Sequence, residues 1–332
     1  MKTPRHWPLS LALGLAALGH VFAAESPAPP PAYLRVARPD TNTVQLQVAL
    51  RKFTPAGKTA PVVWLSGVSH VGDREYYQAV QRHLDEQKLV LFEGIGAGRK
   101  LGEAKAKVET PAAKTAHTNE SGSLQSTLAA ALGLVFQLEA VDYERAHFRN
   151  CDMSVAQIRE VMQTGTGGKE PGKASPEFEA LLQAMDGSSA LGLILKVGLK
   201  WLGSNPQMQA TAKIMLIETL GRLRGDLAQM RGLPADMKRL VTVLIEARNR
   251  VVIAELKAEL AKAAPADSIS VFYGAGHMED LEQRLRRELN LEPAGEQWLT
   301  AISVDLKQTG LSAAQVAWIR AMVEWQMKQM QP

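Results

Sequence analysis

Cysteine is almost absent: Cys151 is the single one in 332 residues. No intramolecular disulfide can form, and no cysteine-rich zinc site is available. With no strong base near it in sequence, Cys151 reads as a buried, inert thiol rather than a nucleophile. Aromatic residues are scarce at 5%, and the formal charge is only +4. Nothing in that balance argues for nucleic acid, which asks for a basic stripe interleaved with aromatics. Long apolar runs are missing too. The early stretch at 9–18 is too brief to span a bilayer comfortably. No HExxH helix is present, so a zincin mechanism has no support. Neither glycine-rich stretch completes a nucleotide motif. Residues 94–98 lack the dinucleotide spacing. Residues 167–173 match GxxxxGK, but Ala174 follows, Pro171 stiffens the loop and no buried strand precedes it.

What is present fits a globular chain, with 46% hydrophobic and 22% charged residues. At the N-terminus, Lys2, Arg5 and His6 precede an apolar stretch and the small-residue pattern Val21-Phe22-Ala23. This is the pattern of an export signal over 1–23, cleaved near Ala23, and it implies a periplasmic or secreted protein. A short membrane anchor is the alternative. No cysteine lies near the cleavage pattern, which argues against a lipoprotein. Residues 24–42 form a lead-in whose consecutive prolines favour an extended linker.

The rest is organised around residues 62–93. Val62 to Leu65 is a short apolar run that suits a buried parallel strand, and Leu89 to Phe92 is a second. Between them Tyr77, Val80 and Leu84 recur at helical spacing, with Asp73 placed to cap. The whole reads as strand, helix, parallel strand, so His70 and Glu93 reach one edge of a sheet. Upstream, Val44, Leu46, Val48 and Leu50 alternate as a half-buried strand. Downstream, 94–123 is a polar tract, either a flap over the crevice or a solvated loop. Asp142, His147 and Asp152 are polar groups that could line a site, although at least two suit a solvated turn better. Asp152 or Ser154 can cap the next helix.

A helical insertion over about 154–231 follows. Its apolar stretch from Leu191 to Leu202, interrupted by Lys196 and Lys200, is a buried helix, a cover over the site or a weak membrane-surface contact. Residues 236–263 predict a long helix with Leu240, Leu244, Ala247, Val251 and Leu260 on its apolar face. Arg248, Asn249 and Arg250 project from its middle. Residues 269–272 then form a strand, 281–289 an amphipathic helix, 298–306 a last strand and 311–330 a terminal helix. The expected fold is α/β: a mostly parallel central sheet flanked by helices, the core spanning 43–306 and a C-terminal helix occupying 307–332.

One device occurs twice. A buried strand ends in GxxH and a helix follows, as GVSH ending at His70 and as GAGH ending at His277. If both strands share a sheet, His70, His277 and Glu93 converge. Two imidazoles and a carboxylate are a common divalent-metal set with open positions. A metal held that way can activate water and polarise a carbonyl. The plainer alternative is that both histidines cap helices or satisfy core hydrogen bonds.

These segments, WLSGVSHVGDREYYQAV, LVLFEG and VFYGAGHMEDLEQRL, resemble the TraB/PrgY/GumN family. That family is related to the Tiki metalloproteases and more remotely to ChaN-like and erythromycin-esterase-like proteins. The order of features matches over roughly 43–306, and Trp298 near the last strand also fits. The resemblance implies a hydrolase that cleaves peptides or proteins with a divalent metal such as Mn, Co or Zn. The metal ligands would be His70, Glu93 and His277, with Glu93 also in the catalytic set. Arg248 and Asn249 match the family's polar pair and would orient the substrate or Glu93. The alternative is a non-catalytic envelope protein that binds a peptide, a metal or a haem-like ligand at the same edge.

Overall fold

The computed structural model describes residues 32–94, 124–164, 199, 202–224, 231, 238 and 241–330. The expected leader, the tract 95–123 and most of the apolar stretch 191–202 lie outside the described residues.

In chain order the strands and helices are β1 (Leu34–Ala37), β2 (Thr43–Pro55), β3 (Val62–Val68), β4 (Val71–Gly72), α1 (Arg74–Asp85) and β5 (Leu89–Phe92). Then come α2 (Leu124–Ala131), β6 (Val135–Phe136), the single turn α3 (Gln137–Ala140), β7 (Phe148–Asn150), α4 (Val155–Thr164) and α5 (Pro206–Leu220). The chain closes with α6 (Arg248–Leu260), β8 (Ser268–Gly274), α7 (Met278–Leu289), β9 (Leu291–Asp305) and α8 (Ala313–Met330).

Seven strands form one mixed sheet, ordered β1-β2-β3-β8-β5-β7, with β9 on the other edge of β2. β3, β8, β5 and β7 pair in parallel. β2 is antiparallel to β1, β3 and β9. Every strand of this sheet except β2 therefore runs in one direction, and the fold is α/β with a mostly parallel sheet flanked by helices. β4 and β6 make a separate small ladder, Val71 opposite Phe136.

Helices cover both faces because the sheet is apolar on both. On one face Val44, Leu46, Val90 and Phe272 pack with Tyr77, Val80 and Leu84 of α1 and Ile214 and Ile217 of α5. On the other, Leu65, Leu91 and Val271 pack with Val252 and Leu256 of α6 and Leu281 and Leu285 of α7. Each such side chain, wholly buried, contributes about 1.5–3 kcal/mol.

Two local expectations are corrected, at α1 and α6, and the two capping candidates for α4 are resolved to one. Asp73 stands at the N-cap of α1, but its side chain makes no capping bond. Its Oδ2 accepts the Ser303 N–H of β9 instead, at 2.8 Å. Asp152 does not cap α4. Ser154 does, in a reciprocal pair with Gln157. The apolar face of α6 also differs. A π-turn, Val243–Ala247, precedes that helix and inserts an extra residue per turn. The buried surface is wider than expected: Ala247 is buried with Leu244 and Val251 packed against its cluster, and Arg248, Asn249, Val252, Ile253 and Leu256 are buried as well. Arg248 and Asn249 are thus interior rather than projecting.

Candidate functional site

Strand register brings the site together. Val68 at the end of β3 lies opposite Gly274 at the end of β8, and Phe92 at the end of β5 lies opposite Phe272. β8 separates β3 from β5, so His70, the 274–277 turn and Glu93 leave three adjacent strands on one edge. Both GxxH glycines are needed for close approach. A Cβ on Gly67 would stand 3.1 Å from the Ala49 carbonyl of β2. A Cβ on Gly274 would stand 3.1 Å from His70 Nε2 and 3.3 Å from Glu93 Oε2. That space, kept clear by glycine, is faced by both groups. His277 ends a 3₁₀ turn, Ala275–His277, and its Nε2 lies 3.7 Å from Glu93 Oε1.

Each imidazole is gripped twice by an amide residue. The Gln137 backbone N–H donates to the His70 carbonyl at 2.9 Å. Its side-chain Oε1 lies 2.8 Å from His70 Nδ1. Asn249 repeats the arrangement with its side chain alone. Its Nδ2 donates to the His277 carbonyl at 3.2 Å, and its Oδ1 lies 2.8 Å from His277 Nδ1. An amide oxygen only accepts, so each Nδ1 so placed carries the proton. Both Nε2 atoms then present lone pairs. His277 is buried, whereas His70 opens to solvent.

Beneath them lies a buried ion cluster. Arg248 donates from Nε and Nη2 to the two oxygens of Asp152, at 2.8 and 2.6 Å, and from Nη2 to Glu93 Oε1 at 2.6 Å. Asp152 also accepts the N–H groups of Gly94 and Met153. Glu93 Oε2 accepts the Gly274 N–H at 2.7 Å. Two carboxylates meet one guanidinium, which leaves one negative charge in excess.

Burial would raise the Glu93 carboxyl, but His277, Arg248, His70 and the Gly274 N–H outweigh it and bring it down to about 2. Burial pushes His277 down to about 4 against the pull of Glu93. His277 is therefore neutral at pH 7, where Arg248 and the Gly274 N–H keep Glu93 ionised. Burial would lower the Arg248 guanidinium, yet the bonds to Asp152 and the charge of Glu93 raise it.

Acid sensitivity follows. His277 has its folded value near 4 against an ordinary 6.5, and so does His83, which burial depresses. Between those values the unfolded chain takes protons that the folded chain refuses, so stability falls as pH falls. Glu93, near 2 against an ordinary 4.5, extends the loss below pH 4.5. The urea midpoint is expected to be highest above about pH 6.5 and to fall steadily on acidification. A midpoint that is flat from pH 7 to pH 4 contradicts these assignments.

The fold thus brings His70, Glu93, His277, Arg248 and Asn249 together. Arg248 contacts Glu93, whereas Asn249 holds His277 and makes no bond to Glu93. Among the described residues, no group of three His, Cys, Asp or Glu side chains stands as a ready ligand set. Of the three other polar candidates, only Asp152 belongs here. Asp142 is exposed and pairs with Arg145, and His147 Nε2 bonds to the Leu84 carbonyl. Gln137 and Tyr143 escaped the sequence reading, since no spacing links them to residue 70. The β4–β6 ladder brings Gln137 beside His70. Burial pushes the Cys151 thiol up to about 12, in keeping with an inert side chain. Among the described residues no helix is long and apolar enough to cross a membrane.

No protein-family model matches the chain, and neither a curated protein nor a solved structure matches it.

Proposed function

We propose that this protein is an exported metal-dependent hydrolase acting on peptides, with a divalent ion held by His70, His277 and Glu93. The observation that carries this reading is the pair of amide grips. Gln137 and Asn249 each take an Nδ1 proton, which orients both Nε2 lone pairs as second-sphere partners of metal-bound histidines do. The groups fit a cation in two further respects. Gly274 leaves clear a space that a Cβ would fill between His70 and Glu93. The buried cluster also carries an uncompensated negative charge.

Bound there, a divalent ion supplies Lewis-acid polarisation of a carbonyl and activation of water. The residues divide the remaining work. His70 and His277 are neutral donors on Nε2. Glu93, ionised down to about pH 2, is a weak proton acceptor at neutral pH and serves as an anionic ligand rather than a general base. Arg248 fixes its second oxygen, and Asp152 fixes Arg248. The choice of a peptide substrate rests on the resemblance to the Tiki branch.

A second reading is favoured by one contact. Arg248 already occupies Glu93 Oε1, and a carboxylate so paired suits a non-catalytic pocket for a peptide ligand. A mixed peptide library separates the two. The Mn-, Co- or Zn-loaded protein is expected to cleave it, with activity abolished by EDTA and by His277→Ala. Capture of peptides without cleavage under every metal condition would support the binding reading.

A further inference from the structure

The two amide grips differ in what lies behind them. Asn249 Nδ2 faces two groups that can only accept, the His277 carbonyl at 3.2 Å and the Asp280 carboxylate at 2.8 Å. Its amide cannot turn over, so His277 is locked with its proton on Nδ1. Gln137 has a different neighbour. Its Nε2 lies 2.8 Å from the Tyr143 hydroxyl, which can accept or donate.

Two polarities are therefore open to the chain His70–Gln137–Tyr143. In one, His70 Nδ1 donates to Gln137 Oε1, Gln137 Nε2 donates to Tyr143, and the phenol proton points elsewhere. In the other, Tyr143 donates to Gln137, the amide donates to His70 Nδ1, and the imidazole proton sits on Nε2. A cation on His70 Nε2 permits only the first.

Tyr143 is well placed to use that proton. Its ring packs against Phe92, the last residue of β5, Phe148, the first of β7, and Phe272 within β8, with centroids 5.0, 6.4 and 6.3 Å away. Its hydroxyl donates to no acceptor among the described residues, and the side chain is only partly buried. Burial, together with the charge of nearby Glu93, keeps the phenol protonated.

We propose that Tyr143 donates a hydrogen bond to an oxygen of the substrate, and that His70, acting through Gln137, sets it in the donating polarity when Nε2 is engaged. The matching substrate atom is one that gains negative charge, as a carbonyl oxygen does on becoming tetrahedral. An ammonium or amide N–H finds no acceptor there. Tyr143 is the catalytic residue of this pair and Gln137 the positioning residue. The inference rests on the metal-site reading above.

The test uses the metal-loaded full chain and methylphosphonate as a tetrahedral oxyanion probe, with metal content read by elemental mass spectrometry and probe affinity by calorimetry. Tyr143→Phe keeps the ring and its packing. It is expected to retain its metal and to bind methylphosphonate about tenfold more weakly. Gln137→Glu places a carboxylate that accepts from both His70 Nδ1 and Tyr143. It is expected to hold metal at least as tightly as the native protein, since a carboxylate strengthens a metal-bound histidine. It should nevertheless lose methylphosphonate affinity, because Tyr143 is turned inward. The added charge alone would also favour the cation and repel the anion, so the coupling is read in the Tyr143→Phe background, where Gln137→Glu is expected to cost less methylphosphonate affinity than it does in the native chain. An equal cost in both backgrounds overturns the relay through Gln137. Native-like methylphosphonate binding by fully loaded Tyr143→Phe overturns the inference, as does a loaded native protein that binds no methylphosphonate. Failure of the native protein to take up metal instead overturns the hydrolase reading on which it rests.

Discussion

Arg248→Met is expected to destabilise the folded protein by about 3–5 kcal/mol, the usual cost of removing one partner from a buried ion cluster. Its guanidinium, with a side chain only 5% exposed, is, among the described residues, the sole cation bonded to the buried side chain of Asp152 and also reaches Glu93. Methionine fills similar volume, so a cavity adds little to the loss. What remains is two carboxylates held near one another with no guanidinium between them. Asp152→Asn combined with Arg248→Met removes one of those charges and is expected to recover part of the loss. Urea unfolding at pH 7.5 in the presence of EDTA measures both variants without interference from metal. A loss below about 1 kcal/mol for Arg248→Met would mean that the cluster is not what holds this edge of the sheet.

The second large effect belongs to Asn249. Asn249→Leu leaves the buried His277 Nδ1 without its partner and frees the imidazole to rotate or change tautomer. Loss of an outer hydrogen bond of this kind weakens metal binding by about 10- to 100-fold. Competition with a chromophoric chelator is expected to show that drop. Asp280 keeps its bond to Arg284, so the stability loss is confined to the His277 side and amounts to about 1–3 kcal/mol. Unchanged metal affinity in a folded variant would make Asn249 a core residue without a part in the site.

The half of the site that came from strands was readable in sequence. Leu89, Val90, Leu91 and Phe92 form an unbroken apolar run because that strand is buried between two others, and Glu93 follows where burial ends. The two GxxH turns were visible because glycine is required where backbones crowd, against Ala49 in one case and against His70 and Glu93 in the other. Residues delivered by tertiary pairing were not visible. Gln137 sits after a two-residue ladder too short to leave a period. Asp152 and Ser154 were equal capping candidates in sequence, and only the tertiary contact of Asp152 with Arg248 separates their roles. The buried surface of α6 was read only in part: Ala247, Leu244 and Val251 do pack, but the π-turn at 243–247 breaks the 3.6-residue period and hid the burial of Arg248 and Asn249. The first half of β9 was missed for another reason. Residues 292–297 are exposed and do not alternate, and only their backbone ladder with β2 makes them a strand.

The most direct measurement is the metal content of the native protein beside His70→Ala and His277→Ala variants, each shown to be folded by circular dichroism. All three would be purified without chelators and reloaded with Mn, Co or Zn before elemental mass spectrometry. A site built on His70, His277 and Glu93 predicts about one ion per native chain and little in either variant. Equal metal in all three proteins, or none in the native protein under any loading, would contradict the metal site and leave this edge of the sheet as a binding pocket.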